Sequence, residues 1–68
     1  MAQELKNKSV INVAEIARRY GYKMEIVECG MGLAFLSISD NFIKSPYPRH
    51  ITSAVRSRDY VEKIFNNN

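Results

Sequence analysis

Tyr22-Lys-Met-Glu-Ile-Val-Glu-Cys-Gly-Met-Gly-Leu-Ala-Phe-Leu-Ser-Ile-Ser39 decides how this chain folds. Two runs rich in β-branched, aromatic and long apolar side chains flank Gly30-Met31-Gly32, the pattern of a β-hairpin. The register follows from which side chains meet. A two-residue loop sets Glu25 opposite Leu36 and Lys23 opposite Ile38, whereas a three-residue loop of Gly30, Met31 and Gly32 sets Ile26 opposite Leu36 and Met24 opposite Ile38. The second pairs apolar with apolar. It also puts Gly32 where such a loop needs left-handed backbone, so pairing and turn chemistry agree.

In that register one face carries Met24, Ile26, Ala34, Leu36 and Ile38 and is expected to pack on helices. The other carries Lys23, Glu25, Ser37 and Ser39 at one end but Val27, Cys29, Leu33 and Phe35 near the turn. A Val27, Leu33 and Phe35 patch on so small a domain is either covered by a third element or offered to a partner.

Upstream, Val10, Val13, Ala14, Ala17 and Tyr20 recur at helical spacing between Ser9 and Gly21. Ser9 and Asn12 are both candidate caps, the latter with Glu15 three residues on as in a capping box. Arg18 and Arg19 favour the negative end of the helix dipole, and Gly21 suits a left-handed stop. Downstream, Asp40-Asn41 ends the hairpin and Lys44-Ser-Pro-Tyr-Pro-Arg49 must be extended, because each proline fixes its own φ and restrains the residue before it. From His50 the pattern splits. Ile51, Ser53 and Val55 alternate as a short third strand does, which we favour, while Thr52 or Ser53 is also a fair helix cap. Either way a final helix follows Ser57, with Asp59 in its first turn and Tyr60, Val61, Ile64 and Phe65 along it.

The expected fold class is therefore α+β: a small two-layer domain of helix, β-hairpin with or without a third strand, and helix, both helices on one face of a short antiparallel sheet. One domain spans residues 1–68, with residues 1–8 and 66–68 expected to fray. The order of elements is similar to that of the double-stranded-RNA-binding domain, a likeness of topology alone. That family's last helix opens on a lysine-rich cluster, and here only Arg56 and Arg58 stand near the place. Asn12-Val-Ala-Glu-Ile-Ala-Arg-Arg-Tyr-Gly21 looks like the first helix of a helix-turn-helix unit, but two glycines then fall where a recognition helix should continue.

With 68 residues, 7.8 kDa, 46% hydrophobic and 25% charged residues and a net charge of +3, the chain has the composition of a single globular domain. A domain of this size buries only about 60% of the surface its unfolded chain exposes, so a homodimer is expected. The lone Cys29 cannot form an internal disulfide. No stretch has the length and apolarity of a membrane span, and the opening residues do not read as a signal peptide, so a cytoplasmic location is expected.

Reactive chemistry is sparse. One cysteine and one histidine, Cys29 and His50, have no metal-site spacing, and no orienting group joins them as nucleophile and base. Glu25 and Glu28 fall on opposite faces of their strand, and Gly30-Met31-Gly32 lacks the third glycine and the lysine of a phosphate loop. So small a domain has little room for an enclosed pocket of several hundred cubic ångströms. No enzyme activity, cofactor or metal is expected.

Two surfaces remain. From Asn41 to Arg58 the chain holds Lys44, Arg49, Arg56 and Arg58 with no acidic residue. With Arg18 and Arg19 for phosphates and Tyr47 for stacking, these residues make up the leading expectation, a nucleic-acid-binding regulator. The alternative is a protein-binding inhibitor or adaptor, of the kind phages and bacteria use, that blocks a larger partner through Val27, Met31, Leu33 and Phe35. In that reading the rigid Ser45-Pro-Tyr-Pro48 loop presents Tyr47 as well.

Overall fold

A computed structural model describes residues 9–41 and 44–67. Residues 1–8 and Asn68, which belong to the segments expected to fray, lie outside them. The hairpin forms in the expected register: β1 (Lys23–Gly30) pairs antiparallel with β2 (Leu33–Ser39), with Ile26 opposite Leu36 and Met24 opposite Ile38. Its closed end is tighter than a plain three-residue loop. Glu28 still faces Ala34, but the register then slips so that Gly30 faces Leu33, leaving Cys29 in a bulge. The turn is thus Met31-Gly32, with φ of 56° and 75°, the two positive values that a type I′ turn demands.

The third strand exists in two pieces on the far side of β2: β3 (His50–Thr52) and β4 (Arg56–Ser57). Ser53 explains the break. Its N–H donates to the Leu36 carbonyl at 2.8 Å, as a ladder residue should, but the Leu36 N–H donates back to Ser53 Oγ at 2.9 Å instead of to a backbone carbonyl. The hydroxyl takes the carbonyl's place, the chain steps out of the ladder, and one extra residue is absorbed. Ile38 faces Ile51 before the break, whereas Ala34 faces Arg56 after it, a register one residue longer. The sheet is therefore antiparallel with β2 at its centre.

Both helices obey their local signals. Helix α1 (Val10–Tyr20) starts on Ser9, whose Oγ accepts the Asn12 N–H at 3.1 Å, so Asn12 lies inside the first turn and is not the cap. It ends on Gly21, at φ 80°. Helix α2 (Arg58–Asn66) starts on Ser57, whose Oγ accepts from the Tyr60 N–H, and carries Asp59 in its first turn. Of the last residues expected to fray, Asn66 closes α2 and the Asn67 N–H donates to the Ile64 carbonyl.

The core lies between the helices and one sheet face, where Val10, Val13, Leu36, Ile38 and Val61 are fully buried. Met24 and Ile26 pack on its margin, as their side of the hairpin predicts. Among the described residues no element covers the opposite face. No described helix is long and apolar enough to cross a membrane.

Candidate interaction surfaces

Two ends of β2 organise the molecule. Ala34, opposite Arg56, and Ser39, opposite His50, stand five residues apart, or about 17 Å at roughly 3.4 Å per residue. At one end lie the hairpin tip, β4 and the start of α2. At the other lie the end of α1, the start of β1 and the proline loop.

The tip gathers the apolar residues of the open face. Val27 stands directly opposite Phe35, both half-buried. Leu33, two residues before Phe35 and so on the same face, is 43% exposed, and Met31 at the apex is 98% exposed. Val55 joins them, which the alternation of Ile51, Ser53 and Val55 does not suggest. The extra residue at Ser53 reverses the alternation, and β4's register carried back one residue sets Val55 beside Phe35 on the open face, where it is 47% exposed. In the sequence, the mark of that break is Ser53 itself, between Thr52 and Ala54, a residue whose hydroxyl can stand in for a carbonyl. The tip is also held firmly. The Arg58 N–H donates to the Gly32 carbonyl at 2.8 Å, and Arg58 Nε lies 2.9 Å from both Glu28 Oε2 and Glu62 Oε2.

The seven residues expected to contact nucleic acid fall toward two ends of the sheet. Arg56 and Arg58 stand at the tip, while Arg18, Arg19, Tyr47 and Arg49 stand at the other end, with Lys44 exposed in the proline loop. Several guanidiniums have structural partners. Arg18 donates to the carbonyls of Ile64 at 2.8 Å and Asn67 at 2.6 Å, closing the end of α2. Arg49 Nε lies 3.4 Å from the almost wholly buried Asp40 carboxylate, and its terminal nitrogen donates to the Asn41 carbonyl. Arg58 is held as above.

The structure does bring Arg18, Arg19 and Tyr47 together. They line an open-sided groove of about 670 Å³ along α1, with Asn12, Glu15, Ile16 and Tyr20. A surface groove of this size needs no hollow core, so the small domain accommodates it where an enclosed pocket was not expected. Its aromatic wall is fixed: Tyr20 and Tyr47 meet edge to face with centroids 5.6 Å apart. The Tyr22 hydroxyl shares its proton between the carbonyls of Pro48 at 2.9 Å and Tyr47 at 3.3 Å, tying the proline loop to the link between α1 and β1.

Cys29 and His50 are at opposite ends of the sheet; His50 Nε2 lies 3.0 Å from Ser37 Oγ on the open face. Among the described residues no three His, Cys, Asp or Glu side chains group as a metal site would need. These features define a two-layer α+β domain with one bare sheet face and one aromatic, arginine-edged groove. No family, no curated protein and no solved structure matches the chain.

Proposed function

We propose that this protein is a non-enzymatic binding module, an inhibitor or adaptor that docks on a larger protein through the open face at its hairpin tip. The observation that carries this reading is convergence: Val27, Met31, Leu33 and Phe35 meet on one face and apex, with Val55 beside them. The tip is braced by Arg58 and the Gly32 carbonyl, so little order remains to be acquired on binding. A flexible methionine at the apex and an aromatic behind it are the side chains that anchor interfaces. The wider nucleic-acid surface has weaker support. Its cations stand at two ends about 17 Å apart along β2 at ~3.4 Å per residue, and Arg18, Arg49 and Arg58 already serve the fold.

The test is co-purification from lysate in nuclease-treated and untreated arms, with wild-type protein and Phe35→Asp. We expect a nuclease-resistant partner in fixed proportion, lost from a Phe35→Asp variant that keeps its cooperative thermal transition. Retention of that partner by the folded variant overturns the proposal. So does a homodimer that Phe35→Asp converts to monomer without any other partner, because the patch is then a self-interface.

A further inference from the structure

The groove at the other end of the molecule has no part in that docking face, and its chemistry is different. We propose that it binds a nucleoside phosphate, with the base against Tyr20 and Tyr47 and the phosphate at Arg19. The walls favour a flat ligand. Tyr47 stands between two prolines, its N–H donates to Ser45 Oγ at 3.1 Å, and its carbonyl and that of Pro48 accept from the Tyr22 hydroxyl. These bonds fix its backbone, and its ring is packed edge to face on Tyr20 and against the core, so little freedom is left to lose when a second ring stacks beside it. Ile16, 6% exposed, closes the floor.

The rim favours an anion with hydrogen-bonding edges. Asn12, Glu15 and Arg19 fall three and four residues apart on one side of α1, a polar stripe about 10 Å long at ~1.5 Å per residue. Arg19 has no hydrogen-bond or ion-pair partner among the described residues, and Arg18 is anchored next to it by its bonds to α2. Two guanidiniums against one carboxylate leave the rim net positive. Glu15 and the Asn12 amide add an acceptor and a group able both to donate and accept, which a heterocyclic base uses and a bare phosphate does not. A volume of about 670 Å³ lies within the usual range for small ligands, roughly 300 to 1,000 Å³. Arg56 and Arg58 are at the far end, so the site holds one nucleotide's charge and does not track several phosphates of a strand. That nucleotide is either free or the terminus of a single strand.

The experiment is a titration of the isotope-labelled full chain, following backbone amide resonances, with adenosine monophosphate, adenosine, inorganic phosphate and a short oligoadenylate in separate arms. Adenosine monophosphate is expected to shift amides of residues 12–20 and 45–49 saturably, and adenosine the same set with about tenfold weaker affinity. Arg19→Gln should weaken adenosine monophosphate by about tenfold and leave adenosine unchanged. Tyr47→Leu, which keeps apolar bulk against the core, should weaken both. Binding of the oligoadenylate as tight as that of adenosine monophosphate identifies a strand terminus as the source and weaker binding a free nucleotide, both supporting the site, whereas much tighter binding means that several phosphates are held and overturns it. The proposal is overturned if millimolar adenosine monophosphate produces no saturable shift, if inorganic phosphate alone reproduces its pattern, or if the shifts fall at residues 27–35.

Discussion

The hairpin tip and the proline-loop end are ordered by opposite means. At the tip, backbone geometry shapes the hairpin through a bulge at Cys29, a turn with two positive φ angles and the Arg58-to-Gly32 main-chain bond, reinforced by the Arg58 ion pairs, while the half-buried Val27 and Phe35 and the exposed Met31 and Leu33 hold no polar contact of the fold. At the other end side chains do the ordering. The Tyr22 hydroxyl, Ser45 hydroxyl, Arg49 and Arg18 are each bonded to main chain. A side chain that holds the fold is less available to a partner. Counting arginines along the chain therefore overstates the basic surface, whereas counting apolar residues on the hairpin's open face understates the tip by one, Val55.

Leu36 is fully buried at the centre of β2, which both ends share. Leu36→Ala should cost about 2–5 kcal/mol and lower thermal stability as a whole, with no end surviving alone. If amide exchange shows one end still protected, the two ends are independent units and the single core described above is wrong.

Ser53→Ala acts next. It leaves the buried Leu36 N–H without its acceptor, at about 1–3 kcal/mol. Denaturant unfolding measures the loss, and faster exchange of the Leu36 amide would place it at the break between β3 and β4.

Tyr22→Phe should disturb the proline-loop end alone. Removing the hydroxyl releases the carbonyls of Pro48 and Tyr47 at a cost of about 0.5–1.5 kcal/mol. Resonances of residues 44–49 should broaden or shift while those of residues 27–35 stay in place. Equal disturbance at both ends would show that the loop is not separately tied.

Much of this was legible in the sequence because it rests on local chemistry. Ser9, Gly21 and Ser57 are caps and stops whose side chains, or lack of one, act within a few residues. The hairpin register follows from which of two offsets pairs Ile26 with Leu36. The third strand was only half legible: Ile51 alternates correctly, but the break depends on Ser53 Oγ meeting the amide of Leu36, seventeen residues away. The candidate site divides in the same way. Val27, Leu33 and Phe35 share a face by strand parity alone, whereas the partners of Arg18, forty-six and forty-nine residues distant, and the link from Arg58 to Glu28 are tertiary. Nothing in the spacing of Arg49 and Arg56 reveals that a β-strand's length lies between them.

The smallest expected effect on stability belongs to the most telling variant. Met31 occupies left-handed backbone, φ 56°, where a side chain other than Asn, Asp or Gly is strained by about 1 kcal/mol. Met31→Asn makes the turn Asn-Gly, the preferred type I′ pair, and should leave the melting temperature unchanged or slightly raised. Measured together, the thermal midpoint and the co-purifying partner separate folding from binding. If the tip is the docking surface, Met31→Asn is at least as stable as the wild type yet loses most of its partner; a variant that is equally stable and retains its partner in full would contradict it.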